Sequence, residues 1–252
     1  MSHETALRTI VVATDFSEDA AAALGWEKEI ARQHHAHIVL VHALVSEVLP
    51  APEFVPLPPQ YYEEIHGDAK RRLEAAATAL RSDGLTVVCE LVLSYPVAGI
   101  LKVAQRHGAE LIVAGTRGRT GWKRALLGST AARLVREAPC PVLTLHRQDG
   151  VHPRPIRTVL VPTDFSEDAA LAAETAARIL GALGDDGRLV LLHAYRVPAE
   201  AMHLPPKVLM DAIRSGSETA HASLEAKSAQ LRRPGLTVET IAREGYPPEL
   251  IL

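Results

Sequence analysis

Short apolar runs alternate with longer amphipathic stretches along the first 146 residues, and this pattern predicts alternating strands and helices. The predicted strands are Thr9–Ala13, His37–Leu44, Thr86–Leu93, Glu110–Ala114 and Val142–His146. The predicted helices begin at Ser17-Glu18-Asp19 or span Glu63–Arg81, Val97–His107 and Thr130–Glu137. Residues 45–60 contain five prolines, which predicts a mobile flap with no regular structure. Strands that alternate with helices indicate right-handed crossovers and an α/β fold whose parallel sheet is covered on both faces.

The sequence repeats itself. Arg8–Ala23 is identical to Arg157–Ala172 at 12 of 16 positions. Two further matches lie 151 residues apart: His42-Ala43 with His193-Ala194, and Gly84–Leu101 with Gly235–Leu252. We therefore predict two tandem domains, 1–147 and 156–252, joined by a polar linker at 148–155.

The second copy is incomplete as given. It has no counterpart of residues 102–146, so we expect it to lack strands 4 and 5. Its first strand, within TVLVPTD, would then be an exposed apolar edge, which is prone to aggregation. We expect either that the natural chain continues past Leu252 or that a partner covers this edge.

Composition narrows the class of protein. With 27 basic and 30 acidic side chains, the net charge of −3 gives no electrostatic footprint for nucleic acid or an anionic membrane. No apolar run approaches the roughly 20 residues of a spanning helix, and the N-terminus is too polar for a signal peptide. Two cysteines outside any CxxC pair do not form a disulfide framework. We expect a cytoplasmic protein whose partners include neither nucleic acid nor membrane.

A glycine-rich segment, GTRGRTGWKRALLGST at 115–130, is the strongest candidate for chemistry. Two of its glycines directly follow a strand, four basic side chains accompany them, and Gly128-Ser129-Thr130 opens a helix. Backbone amides near glycine and at a helix N-terminus bind anions, so the segment predicts a phosphate site. It is neither a P-loop nor a GxGxxG fingerprint, and a basic turn with no ligand is the alternative. Asp15, after the first strand, is placed to accept from an adenine amino group or a ribose hydroxyl, or simply to cap a helix.

These motifs resemble the universal stress protein family of the tandem type: TDFSEDA after the first strand, LVHAL in the second, and G-x2-G-x9-G-[ST]. The resemblance implies two doubly wound parallel-sheet domains with strand order 3-2-1-4-5, like the adenine nucleotide alpha hydrolases. It also implies ATP, with Mg2+, at the point where the winding reverses. The implied binding residues are Ala13, Thr14, Asp15, Ala43, Gly115, Arg117, Gly118, Arg119, Gly128, Ser129 and Thr130. Ala13 departs from the proline common at this position, which Pro162 keeps in the second copy.

The function that this resemblance implies is nucleotide-dependent regulation in a stress response. We expect one nucleotide per chain, in the first domain, because the second copy keeps Thr163 and Asp164 but lacks the glycine loop. No general base is apparent for the γ-phosphate, so hydrolysis is expected to be absent or slow, with phosphorylation of Ser129 or Thr130 left open. Fifth-strand edges would form a homodimer or a pseudo-dimer within the chain.

Two other functions stay open. A protein-interaction module that binds no nucleotide is one, and a nucleotidyl transferase is the other, although neither an HxGH nor an SGGxDS loop occurs. The histidines of the HHAH run (His34, His35 and His37) are better interpreted as cations near a helix C-terminus than as metal ligands. His42 and His193 are expected to be hydrogen-bonded core histidines, and Cys140 a buried thiol without a nucleophilic role.

Overall fold

A computed structural model describes residues 7–45, 58–116, 128–146, 156–181 and 187–251. They fall into two compact units, 7–146 and 156–251. The predicted linker lies outside the described residues, so both domain boundaries stay predictions. Residues 46–57 of the predicted proline flap also lie outside them.

The first unit is built on a five-stranded parallel sheet in the order β3-β2-β1-β4-β5, which confirms the implied fold. Its strands are β1 (Thr9–Ala13), β2 (His37–Leu44), β3 (Val87–Leu93), β4 (Leu111–Gly115) and β5 (Val142–Leu145). Its helices are α1 (Glu18–His34), α2 (Pro59–Ser82), α3 (Pro96–Arg106) and α4 (Ser129–Glu137). The predicted strands and helices of this copy agree with these bounds to within one residue, except for α2.

Helix α2 begins four residues earlier than predicted, at Pro59. The expectation that the proline-rich stretch forms no regular element is therefore wrong for its last two residues. Proline is tolerated at the first helical position because the amide that it lacks would have no partner within the helix.

The middle strands are buried on both faces of the sheet. Ile10, Val11 and Val12 are consecutive in β1, and none of them is exposed to solvent. Val11 belongs to a cluster with α3 and α4 that includes Ile100 and Leu134. Continuous burial explains why these strands appear in the sequence as unbroken apolar runs.

Helix α1 carries the polar groups that define its ends. Ser17 is the N-cap and its side chain accepts a hydrogen bond from the Ala20 amide. At the other end His34 is buried, and its Nδ1 accepts from the Leu7 amide at 2.9 Å. A nitrogen that accepts carries no proton, so His34 is a neutral imidazole, and its interpretation as a helix-end cation is wrong.

The second unit has a three-stranded parallel sheet in the order β6-β7-β8 within its described residues. Its strands are β6 (Thr158–Pro162), β7 (Gly187–Tyr195) and β8 (Leu236–Glu244), and its helices are α5 (Glu167–Gly181), α6 (Pro206–Leu231) and α7 (Pro247–Ile251). A core of its own forms around Leu180, Leu189, Leu191 and Leu224. Across the described parts of both units, no helix combines the length and apolarity needed to span a bilayer.

Candidate functional site

A cavity of about 260 Å³ opens in the first unit at the carboxyl ends of β1, β2 and β4. The winding of the sheet reverses between β1 and β4, and ligands of open parallel sheets bind at such points. Eight of the eleven predicted residues line it: Ala13, Thr14, Asp15, Ala43, Gly115, Gly128, Ser129 and Thr130. The other three, Arg117, Gly118 and Arg119, lie outside the described residues.

Further lining residues were missed by the sequence reasoning. These are Ala20, Val41, His42, Pro96, Ile100, Ala114, Thr116 and Ala131. Alternation along β2 could have indicated Val41, because it shares a face of the strand with Ala43. The lining residues of α3, Pro96 and Ile100, could not be found from strand alternation, because a crossover helix reaches the site only through tertiary packing.

The turn between β1 and α1 is held by three hydrogen bonds to side chains. Thr14 Oγ1 accepts from the Phe16 amide at 3.1 Å, and Asp15 Oδ1 accepts from the Ser17 amide at 3.0 Å. Ser17 Oγ accepts from the Ala20 amide at 3.3 Å. Asp15 therefore stabilises the turn while it lines the cavity, and the helix cap itself is Ser17.

The end of β4 is joined to the first turn of α1. Thr116 Oγ1 donates to Asp19 Oδ2 at 3.0 Å, and the Thr116 carbonyl accepts from the Gly128 amide at 2.7 Å. A Cβ on Gly115 would lie 2.9 Å from the Ala20 nitrogen. The sequence interpretation gave Gly115 only the role of admitting an anion, but close packing against α1 already requires glycine here.

Helix α4 begins at the cavity without a side-chain cap. Its N-cap is Gly128, with φ −68° and ψ 159°, and among the described residues no side-chain cap hydrogen bond is made at this end of the helix. The orphan amides of a helix N-terminus and the positive end of its dipole suit an anion. The backbone angles of Gly128 are open to any residue, so its glycine is not demanded by conformation.

A larger cavity, of about 640 Å³, lies between the β1–α1 turn and α2. Its lining includes Phe16, His42 and Leu44 together with α2 side chains such as Ile65 and Arg72. His42 lines both cavities, so the β1–α1 turn and the end of β2 form a shared wall.

The second unit reproduces the β1–α1 turn almost atom for atom. Thr163 Oγ1 accepts from the Phe165 amide at 3.1 Å, and Asp164 Oδ1 accepts from the Ser166 amide at 2.9 Å. The hydroxyl and amide of Ser166 hold the pKa of the Asp164 carboxyl below its ordinary value. A cavity of about 450 Å³ lies here, lined by Pro162, Thr163, Asp164, Ser166, Ala169, Leu192, Ala194, Pro247 and Ile251.

Metal and thiol chemistry find no support in the described parts of the chain. No group of three or more His, Cys, Asp or Glu side chains there is arranged to hold a metal ion. Burial raises the pKa of the Cys89 thiol to about 11, and burial also raises the pKa of Cys140. Neither thiol is an activated nucleophile, since activation requires a lowered pKa.

Comparison with known proteins assigns the family. The model of the universal stress protein family matches residues 6–146 and 155–252, which is nearly the whole chain in two segments. The chain belongs to the universal stress protein family. The tandem arrangement predicted from the repeat agrees with these two matches.

Relatives with this family name extend over much of the chain. A universal stress protein of Mycobacterium tuberculosis is 32% identical over 207 residues, covering 78% of this chain and 66% of the relative. Another from the same organism is 36% identical over 194 residues, covering 74% and 63%. The chain thus spans about two thirds of the length of these curated universal stress proteins.

A solved structure supports the fold alone. The crystal structure of a universal stress protein from Archaeoglobus fulgidus has a TM-score of 0.60 at 20% identity, covering 97% of this chain and 81% of that one. At this identity the similarity supports the architecture of the chain but gives no evidence about its ligand.

Proposed function

We propose that the first unit binds ATP with Mg2+ and that occupancy of this site, rather than turnover, is its regulatory output. The observation that carries the proposal is the convergence of Thr14, Asp15, Gly128 and Ser129 on one cavity beside the start of α4, whose N-cap is a glycine. An acceptor for a nucleoside and donors for an anion therefore line the same cavity.

The β1–β2 side of the cavity suits an adenosine. Val41, Ala43 and Ile100 supply apolar walls on which a purine can pack. Asp15 supplies a carboxylate that accepts from a ribose hydroxyl or an adenine amino group. A volume of about 260 Å³ is just below the roughly 300–1,000 Å³ typical of small-molecule sites, so it suits the nucleoside moiety and not a whole nucleotide.

The α4 side of the cavity suits the phosphates. The amides of the first turn of α4 and the hydroxyls of Ser129 and Thr130 donate toward an anion. Arg117 and Arg119 of the sequence add positive charge to the same segment. Mg2+ prefers oxygen ligands and is commonly held by phosphates and water with few protein groups, which fits a lining that holds one carboxylate among its described residues.

Slow or absent hydrolysis forms part of the proposal. Asp15 is the carboxylate among the described lining residues, and its Oδ1 accepts from the Ser17 amide at 3.0 Å. In the proposed binding mode Asp15 contacts the adenosine and not the phosphates, so it is badly placed to activate water at a γ-phosphate. Dimerisation through β5, an edge strand of the first sheet, stays a prediction for sedimentation analysis.

The test compares ATP affinity of the wild type with that of Gly128→Val by isothermal titration calorimetry. Valine is compatible with the backbone angles of Gly128, but its branched side chain would stand at the N-cap of α4, where the anion is proposed to bind. Loss of two charge-assisted hydrogen bonds, at about 1.5 kcal/mol or more each, weakens binding on the order of 100-fold.

A matched pair of aspartates provides the control. Asp15→Ala and Asp164→Ala remove the same turn hydrogen bond from the two units. We expect only Asp15→Ala to weaken ATP binding. Wild-type protein with no affinity for ATP, or Gly128→Val with unchanged affinity and a native circular dichroism spectrum, would contradict the proposed site.

A further inference from the structure

His42 stands at the junction of the two cavities of the first unit. Its side chain is 7% exposed, and its Nδ1 lies 2.7 Å from the Thr14 carbonyl oxygen. A carbonyl only accepts, so Nδ1 donates, and β2 is linked by a side chain to the backbone just ahead of Asp15. The Thr14 amide donates to the Val41 carbonyl at 2.9 Å, so the turn is held to β2 on both sides of Thr14.

Phe16, two residues on, has a backbone conformation that needs such support. Its φ is +62°, in the left-handed region that a bulky side chain rarely adopts. Its ring packs on the His42 ring with centroids 4.5 Å apart, and the Arg72 guanidinium lies 4.3 Å from the Phe16 centroid. The stack therefore opposes relaxation of the turn to a commoner conformation.

The second unit has the same histidine–carbonyl contact and the same ring packing. His193 Nδ1 lies 2.8 Å from the Thr163 carbonyl, Phe165 has a φ of +65°, and the two rings are again 4.5 Å apart. The position 151 residues after Arg72 is Ser223, so the guanidinium is specific to the first unit. Two units with different neighbours share the histidine, the left-handed phenylalanine and the carbonyl contact, so the contact belongs to the turn itself.

We propose that His42 is a positioning residue for the nucleotide site. Through the Thr14 carbonyl and the Phe16 ring it holds the β1–α1 turn in its left-handed form, which aims the Asp15 carboxylate into the cavity. The effect of His42 on ATP binding rests on the function proposed above, whereas its effect on the conformation of the turn does not.

Two substitutions at His42 separate the hydrogen bond from the ring packing. His42→Asn places an amide nitrogen at the same number of bonds from Cβ as Nδ1, so it can donate to the Thr14 carbonyl without the ring. His42→Phe keeps an aromatic ring for Phe16 but cannot donate. His193→Phe makes the same change in the second unit and serves as the matched control.

Two readouts are measured on the whole chain: the dissociation constant for MgATP, and hydrogen exchange of the amides of residues 15–20 without nucleotide. We expect His42→Phe to weaken ATP binding roughly 3- to 10-fold, as for the loss of one buried hydrogen bond, and to speed exchange in the turn. We expect His42→Asn to keep most of the wild-type affinity for ATP and most of the wild-type protection from exchange. We expect His193→Phe to change neither the affinity nor the exchange. If His42→Phe does not fold, His42→Leu takes its place, because leucine is close to asparagine in shape but cannot donate to the Thr14 carbonyl.

The outcomes separate the two proposals. Faster exchange in His42→Phe, in a wild type that binds no ATP, would support the turn-positioning role and refute the nucleotide function. Unchanged exchange and affinity in a folded His42→Phe would overturn the positioning role. Equal losses in His42→Asn and His42→Phe would also overturn it, because they would assign the effect to general packing.

Discussion

Glu27 lies on the buried face of α1, where the described residues supply no hydrogen-bond partner for its carboxyl group. It is 0% exposed. Helix α1 packs against β1, β4 and β5, whose sequences TIVVA, LIVAG and VLTL contain no ionisable side chain. Burial alone therefore raises the pKa of the Glu27 carboxyl well above its ordinary value. At the matching position of the second copy, 149 residues on, the chain has Ala176, which is also buried.

This burial predicts a stability that falls as pH rises. The folded state holds the Glu27 proton above pH ~4.3, where the unfolded chain has begun to lose it, so the folded state binds more protons. The free energy of unfolding then decreases by up to about 1.4 kcal/mol per pH unit, from the unfolded pKa up to the raised folded pKa. Below the unfolded pKa both states are protonated and the penalty disappears.

Two substitutions of Glu27 separate ionisation from polar burial. Glu27→Gln cannot ionise, so it removes the pH slope. Glu27→Met also removes the unpaired polar atoms, and we expect it to raise the free energy of unfolding at pH 7 by about 1–3 kcal/mol. Glu29→Gln, at a partly exposed position on the same helix, measures the effect of the same chemical change without full burial.

Urea unfolding followed by tryptophan fluorescence between pH 5 and 8 tests this prediction. Both tryptophans, Trp26 and Trp122, belong to the first copy, so the signal reports on that copy. A Glu27→Met protein that is less stable than wild type, with the pH slope retained, would refute the reasoning. It would mean that Glu27 is ionised and paired in the folded protein.

Two further predictions concern contacts that hold the site together, and a third concerns a thiol outside it. Gly115→Ala should destabilise the first unit by about 1–3 kcal/mol in urea unfolding, because its Cβ would lie 2.9 Å from the Ala20 nitrogen; unchanged stability would mean that α1 can shift at little cost. Thr116→Val keeps the shape but removes the donor to Asp19, and we expect it to cost about 1.5–3 kcal/mol in the same assay, whereas no loss would show that this contact is weak. Cys89, with a thiol pKa of about 11, should react with iodoacetamide at pH 8 roughly 100-fold more slowly than a cysteine peptide, measured by peptide mass spectrometry. Reaction at the peptide rate would show that the thiol is neither buried nor shifted.

The order of the elements along the chain followed from local patterns, whereas the strand order of the sheet and most of the site residues followed from the resemblance to the family. β1 and β4 are buried on both faces, so each appears in the sequence as an unbroken apolar run that identifies it as a strand. Parallel strands end at one edge of the sheet, so the residues after β1 and β4 had to meet once the order was known. With the strand order that the family implies, Thr14, Asp15 and Gly128 could therefore be assigned to one cavity from the sequence, and they line it together.

Other features are invisible to such patterns because they depend on how the helices are oriented. Glu27 lies in the polar run WEKE, and only the rotation of α1 against β4 and β5 buries it. In the sequence Gly115 has the position of an anion-binding glycine. Only the structure shows that a Cβ there would collide with the first turn of α1.

The sequence by itself determined the two copies and the alternation of strands and helices, since repeats and strand burial are local properties. Its motifs also gave the residues at the carboxyl edge of the first sheet, but only through their resemblance to a known family. The tertiary structure alone decided that Phe16 adopts a left-handed backbone and that His42 supports it. The physical reason is that a strained turn persists only where contacts from distant parts of the chain over-determine it, and those contacts leave no periodic trace in the sequence.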